Sequence, residues 1–152
     1  MLMLGFMIIT MFLSMWIPNT AATSIMCPIV MTVVDYMRET ATSARKTRTR
    51  TTGGGMRVET GLDEETTRRV RILMLLSVAY ASNIGGTGSL IGTPPNMVLT
   101  NLMEKHFPTA KQPTFATWMI YNIPVMICLI IVIWLYLRFL LQEALGKSAR
   151  FR

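Results

Sequence analysis

The polar and apolar positions of this chain fall into three long uncharged runs, 1–34, 72–103 and 115–137, separated by charged blocks. A straight spanning helix needs roughly 20 apolar residues, so each run is long enough for a membrane element. The third, from Phe115 to Leu137, is rich in Ile, Val and aromatics and predicts one conventional transmembrane helix. The first run is divided by Pro18-Asn19-Thr20-Ala21-Ala22-Thr23. Proline removes a backbone donor and disfavours the turn before it, so a helix should break near Ile17 and restart at Asn19 or Thr20. Each half, of roughly 16 residues, rises about 24 Å, short of the roughly 30 Å hydrocarbon core. A re-entrant hairpin with its tip at mid-membrane fits that length. The alternatives are one kinked helix from about Ser14 to Tyr36 and a signal peptide ending near Ala21-Ala22; the latter lacks a positively charged leader.

The second run contains Ser82-Asn83-Ile84-Gly85-Gly86-Thr87-Gly88-Ser89-Leu90-Ile91-Gly92-Thr93-Pro94-Pro95-Asn96. Its four glycines and two prolines predict an unwound segment over 85–96, with helix on both sides. Unpaired backbone in lipid costs several kcal/mol per group, so such a break persists only when buried in protein or lining a cavity. That makes it a candidate functional site. Phosphate-binding glycine patterns do not fit: Gly86 to Gly92 is one residue too long for G-x-G-x-x-G, and no lysine follows Gly92.

The expected organisation is a hairpin over 1–37 with its tip near 18–23, and a basic cytoplasmic loop over 38–69. A broken transmembrane helix over 70–104 follows, then a short extracellular loop over 105–114, a transmembrane helix over 115–141 and a basic tail over 142–152. The fold class is therefore an all-α polytopic membrane protein.

Composition agrees, with 51% apolar residues and a positive mean hydropathy. The formal charge of +7 raises the question of a nucleic-acid partner, but its distribution answers it. Nine of fifteen Lys and Arg lie between Arg38 and Arg71, four lie from Arg138 onward, and only Lys105 and Lys111 fall between the second and third runs. The positive-inside rule makes the first two groups cytoplasmic and explains Arg45-Lys46-Thr47-Arg48-Thr49-Arg50 as a topogenic loop, expected to be largely disordered, with the lipid bilayer as partner and no nucleic acid. Cys27 and Cys128 lie in apolar runs and imply no disulfide framework, and His106 has no neighbouring ligand for a transition metal. No Asp, Glu or His inside the apolar runs could serve as a general base, which argues against an enzyme.

Two uncharged breaks carrying Asn and Thr describe one way to bind ions within a membrane. Half-helix N-termini offer N–H groups to an anion, while freed carbonyls and hydroxyls coordinate Na⁺. Asn19 and Thr20 are placed at one helix start, and Thr93 and Asn96 at the other. Capping of their own helices is the simpler role for each residue taken singly; their joint occurrence favours a site.

Ser14-Met-Trp-Ile-Pro18-Asn19-Thr20-Ala-Ala-Thr23, followed by Pro28-Ile29, resembles the first Ser-Asn-Thr hairpin of the divalent-anion:sodium symporters, solute carrier family thirteen. The glycine-rich break resembles the same family's unwound fifth helix, in the same order along the chain. The resemblance implies half of an inverted-repeat, elevator-type transporter that is a homodimer when complete; which membrane holds it is left open by the sequence, with the plasma membrane as the default expectation. It carries small dianions (dicarboxylates, citrate or sulfate) with sodium and needs no other cofactor. By the same resemblance, Ser14 and Asn19 with carbonyls near Gly92, Thr93 and Pro94 are sodium ligands, and Asn19, Thr20 and Thr93 contact substrate, with Gly85, Gly86, Thr87, Gly88 and Asn96 in the unwound loop.

Two positions depart from the family pattern: Pro18 stands where serine is usual, and Pro94 where many animal members carry glycine. Family transporters are also several times longer and contain a second such hairpin. On that ground the chain is expected to be a fragment that does not transport alone, with a truncated, non-transporting membrane protein as the alternative reading.

Overall fold

The computed structural model describes residues 2–51, 64–109 and 113–150. They form five helices: α1 (Leu2–Ser14), α2 (Asn19–Thr51), α3 (Glu64–Thr87), α4 (Pro94–His106) and α5 (Phe115–Arg150).

Backbone chemistry accounts for the helix ends. The chain leaves α1 by tightened bonds, Met15 N–H to Phe12 O at 3.3 Å and Trp16 N–H to Leu13 O at 3.0 Å, and Pro18 then prevents continuation. Restart at Asn19 agrees with the sequence pattern. The charged stretch differs from expectation. Residues 38–51 continue α2 and 64–69 begin α3, where a disordered loop over 38–69 was expected. No glycine or proline occurs between Ile29 and Thr52, so nothing in the backbone stops the helix before the glycines at 53–55. Residues 52–63 lie outside the described residues. Helix α5 likewise runs through most of the expected tail, to Arg150.

By length and composition, Asn19–Thr40, Thr66–Thr87 and Phe115–Glu143 can each cross a membrane. The second arm of the first element is thus longer than the half-span expected for it. Helices α1 and α4, 13 residues each, rise only about 20 Å and cannot span.

Helix α3 is the hub, packed against α1, α2 and α5. Its stripe Met74, Val78, Ala81 and Ile84 meets Met26, Val30 and Val34 of α2, Met3 and Met7 of α1, and Met126, Ile130 and Leu137 of α5. These spacings of three, four and seven residues put each set on one helix face. Helix α4 packs on none of the others to a comparable extent, and its Met97, Val98, Leu99 and Leu102 are exposed. An ion pair between Arg71 and Asp35 ties α3 to α2 at the charged end. The start of α2 lies about 24 Å away along the helix, at 1.5 Å rise per residue. That places both breaks at the opposite end of the bundle.

Candidate functional site

The two breaks meet. Ser14 ends α1, Asn19 begins α2, and Ser82 lies just over one turn before the end of α3. Ser14 Oγ is 2.7 Å from Asn19 Oδ1, 2.7 Å from the Ser82 carbonyl oxygen and 3.3 Å from Ser82 Oγ. Ser82 Oγ donates to the Asn19 carbonyl at 2.8 Å. Both serines are buried.

A count of protons characterises this cluster. Two serine hydroxyls bring two protons, while Asn19 Oδ1, the Asn19 carbonyl and the Ser82 carbonyl bring none. The Asn19 carbonyl accepts from both Ser82 Oγ and Thr23 Oγ1, each at 2.8 Å, while the Ser14 hydroxyl faces two acceptors, Asn19 Oδ1 and the Ser82 carbonyl, each at 2.7 Å. The cluster is made of neutral oxygens, sets two acceptors against the one proton of Ser14, and is located where α1 ends with its partly negative terminus. Those are the features of a site for a small hard cation.

Glycines make the approach possible. An added Cβ on Gly85 would sit 2.2 Å from the Met11 carbonyl oxygen and 2.9 Å from Ser14 Cβ, so α1 and α3 touch backbone to backbone there. A Cβ on Gly86 would fall 2.3 Å from Asn19 Oδ1, and one on Gly92 would fall 2.7 Å from the Gly86 carbonyl oxygen. One on Gly88 would meet Met126 Sδ at 2.4 Å. These glycines serve close approach. Gly85, Gly86 and Thr87 remain in the last turn of α3, while Pro94, Pro95 and Asn96 open α4. The non-helical stretch is therefore 88–93, narrower than the 85–96 expected, because glycine can remain helical where packing rewards it.

Asn96 holds the second break closed. Its buried side chain donates to the Gly86 carbonyl at 3.0 Å and the Ser89 carbonyl at 2.8 Å, satisfying acceptors that the helix end leaves free. Ser89, fully buried, bonds the Met15 carbonyl and receives the Gly92 N–H at 3.0 Å. Trp118 of α5 donates to the Thr87 carbonyl at 3.0 Å, and Trp16 lies 6.3 Å from Phe115, centroid to centroid.

The two helix starts are unequal. At α2, Pro18 occupies the N-cap, since its carbonyl accepts the Ala22 N–H at 3.0 Å. Asn19 is therefore the first helical residue, one position inside the cap expected for it. Pro18 has no side-chain oxygen to cap the N–H groups of Thr20 and Ala21, and Thr20 is exposed beside them. At α4, Thr93 is the N-cap, and its hydroxyl makes no capping bond. Pro94 and Pro95 bring no N–H, and the Asn96 N–H bonds the Thr93 carbonyl at 3.1 Å, so this end has little left to offer an anion.

The structure thus brings Ser14 and Asn19 together. Among the described residues no hydrogen bond joins Thr20, Thr93 or Pro94 to either of them, and Gly92 reaches Asn19 only through Gly86. Ser82, Asn83 and Ser89, to which sequence reasoning assigned no role, are part of the assembly. A signal for Ser82 and Asn83 existed, since they lie one helical turn before Gly85 and Gly86 and so share their face.

The sequence profile of the citrate transporter family, CitMHS, matches residues 1–149. The chain belongs to this family. It is 39% identical over 154 residues to the Na(+)/citrate cotransporter of Mus musculus, covering 90% of this chain and 27% of that protein. The corresponding protein of Rattus norvegicus is 38% identical over 153 residues, with the same coverage. The sodium-dependent dicarboxylate transporter SdcS of Staphylococcus aureus is 35% identical over 138 residues, covering 91% of the chain and 23% of that protein. The chain spans about a quarter of the length of these relatives. Membership of the citrate transporter family accords with the three helices identified above as long and apolar enough to cross a membrane.

Proposed function

We propose that this chain forms one half of a sodium-coupled carboxylate site. Sodium binds at the Ser14–Asn19–Ser82 oxygen cluster, and an anionic carboxylate binds beside it at the start of α2. The observation that carries the reading is the convergence of neutral oxygens on Ser14, whose one proton cannot serve Asn19 Oδ1 and the Ser82 carbonyl together, whereas a cation is coordinated by both. The uncapped N–H groups of Thr20 and Ala21, the exposed Thr20 and the free Thr93 hydroxyl supply donors to the substrate, with Asn19 shared between ion and anion. Carbonyls of Gly92, Thr93 and Pro94 complete the sodium shell. A cation next to a helix N-terminus lowers the electrostatic cost of bringing a dianion into the membrane, and this local attraction is the physical basis of coupling.

Citrate and dicarboxylates are the substrates named for the relatives, and sulfate is the further dianion to be tested. In this reading α1–α2 form a re-entrant hairpin. Ser89 ties it to the broken helix α3–α4, whose own break Asn96 closes, so that the two move as one body against a dimeric scaffold in the plasma membrane.

The test grafts residues 1–149 in place of the matching segment of the mouse Na(+)/citrate cotransporter. Uptake of labelled citrate, succinate and sulfate is then measured in sodium and in choline, beside cells expressing the chain alone, with surface expression quantified. Sodium-dependent carboxylate uptake by the graft, reduced at least tenfold by Asn19→Ala, is expected. No sodium-dependent uptake of any of the three anions by a well-expressed graft refutes the reading.

A further inference from the structure

We propose that Asn83 is a further substrate-contacting residue: its carboxamide donates to the carboxylate held at the start of α2, which makes α3 part of the anion site. The inference rests on the carboxylate reading above.

The packing of α2 on α3 determines where Asn83 stands. Arg71 pairs with Asp35 at one end, and Ser82 Oγ donates to the Asn19 carbonyl at 2.8 Å at the other. The two helices therefore run antiparallel, with Ser82 and Asn19 facing each other. A step of one residue turns a side chain about 100° around its helix. In an antiparallel pair of right-handed helices, a forward step from each of two facing residues leads to the same side of the pair. Asn83 follows Ser82 and Thr20 follows Asn19, so Asn83 and Thr20 share that side, and both are exposed. Each step also advances about 1.5 Å, in opposite directions, which leaves the two residues about 3 Å apart along the bundle. The bond from Asn19 Nδ2 to Asn83 Oδ1, at 3.3 Å, shows that the Asn83 side chain reaches α2 at this level.

The disposition of donors singles Asn83 out. Near the start of α2 the hydroxyls of Thr23 and Ser24 donate to the Asn19 and Thr20 carbonyls, each at 2.8 Å. On α3 the Thr87 hydroxyl donates to the Ile84 carbonyl at 2.8 Å. Asn83 accepts from Asn19 through Oδ1, and among the described residues its Nδ2 has no acceptor. A carboxylate only accepts, so the carboxamide presents N–H to it whatever its orientation beforehand, and the contact needs no preset rotamer. With Nδ2 on the carboxylate, Oδ1 keeps its bond to Asn19, the residue shared between ion and anion. Helix α3 then serves both through adjacent residues, the ion through Ser82 and the anion through Asn83. A hydrogen bond to a charged group changes affinity by about 12- to 160-fold.

The experiment uses the full chain in lipid nanodiscs, ¹⁵N-asparagine labelled and titrated with succinate in sodium. Binding is followed by NMR through the side-chain amide signals of Asn19, assigned by their loss in Asn19→Ala. Asn83→Ala removes the donor, Asn83→Gln retains it, and Asn83→Asp replaces it by a group that is ionised at neutral pH on an exposed residue. Succinate affinity is expected to fall about 12- to 160-fold in Asn83→Ala, to fall further in Asn83→Asp, and to recover in Asn83→Gln. The affinity for ²²Na⁺, measured without succinate, is expected to rise in Asn83→Asp, because the added charge attracts the cation while it repels the anion. A merely structural role would lower both affinities together, along with the unfolding temperature. Wild-type succinate affinity in Asn83→Ala, or ion and anion affinities that fall together in Asn83→Asp, overturns the proposal.

The KM for succinate uptake by the graft carrying the same substitutions is the second measurement. It is expected to rise by the same factor in Asn83→Ala, and an unchanged KM refutes the contact. If the unsubstituted chain and graft show neither saturable succinate binding nor uptake, the carboxylate reading fails and the contact fails with it. If they bind and transport, and the Asn83 variants do so equally well, the contact alone fails.

Discussion

Replacing Gly85 by alanine tests the backbone contact on which the site is built. The new Cβ would lie 2.2 Å from the Met11 carbonyl oxygen and 2.9 Å from Ser14 Cβ, where real Cβ contacts essentially never fall below 3.0 Å. Neither atom is the loose end of a side chain, so α1 and α3 must separate by about 0.8 Å or more to restore van der Waals distance. A shift of that size stretches the 2.7 and 2.8 Å contacts between Ser14, Ser82 and Asn19 to or past the hydrogen-bond limit. Overpacking costs about 1–3 kcal/mol and each of the two lost hydrogen bonds about 0.5–1.5, so the total is about 2–6 kcal/mol. For a chain of this size that is roughly a 4–24 °C fall in unfolding temperature.

Gly5→Ala is the matched control. Gly5 has nothing within 4 Å of an ideal Cβ, so alanine there should stabilise α1 by about 0.5–1 kcal/mol through helix propensity alone. Thermal unfolding of the purified chain in detergent micelles, followed by tryptophan fluorescence, compares the two directly; Trp16 and Trp118 flank the breaks and report on them. Equal unfolding temperatures for Gly85→Ala and Gly5→Ala would refute the reasoning, since the same atom would then have the same effect in a backbone contact and in open space.

Other substitutions separate stability from function. Gly86→Ala drives a methyl into the Asn19 carboxamide, which can rotate away; sodium binding measured with ²²Na⁺ should fall at least tenfold while the unfolding temperature falls less than in Gly85→Ala. Asn96→Leu leaves the Gly86 and Ser89 carbonyls without their donors, at about 1–3 kcal/mol for each unsatisfied group, and limited proteolysis should show faster cleavage within 88–93. Asp35→Asn breaks the pair with Arg71, whose side chains are 54% and 34% exposed respectively. An ion pair this open is worth at most about 1 kcal/mol, and a double-mutant cycle with Arg71→Gln should show a coupling that shrinks further in high salt.

Much of the site was legible because its elements are marked by residues with strong backbone preferences. Pro18 places the first break and the restart at Asn19, and Pro94-Pro95 places the start of α4. These are local effects, independent of what lies nearby. The sequence pattern was less reliable where it relied on charge: 38–51 reads as a polar loop by its arginines yet is helical, because charge does not break a helix and no glycine or proline intervenes. The glycines were legible as a break and misleading about its extent. Gly85 and Gly86 stay helical, and what requires their lack of a side chain is α1 and Asn19 on the other side of the contact.

The sequence by itself pointed to an all-helical chain with two interrupted apolar elements and to where each interruption begins, through uncharged run length, glycine and proline, while the motifs from Ser14 to Thr23 and Gly85 to Asn96 carried the family resemblance. Only the tertiary structure decided that the interruptions meet and that Ser82 joins Ser14 and Asn19 in a cluster of neutral oxygens. It also decided that Asn96 and Ser89 close the second break and that Asn83 faces the Asn19 carboxamide. Apart from the Asn96 bonds, 7 and 10 positions long, those are relations between residues more than 60 positions apart, set by how closely α1 and α2 can approach α3, and a linear pattern of residue types does not record that distance.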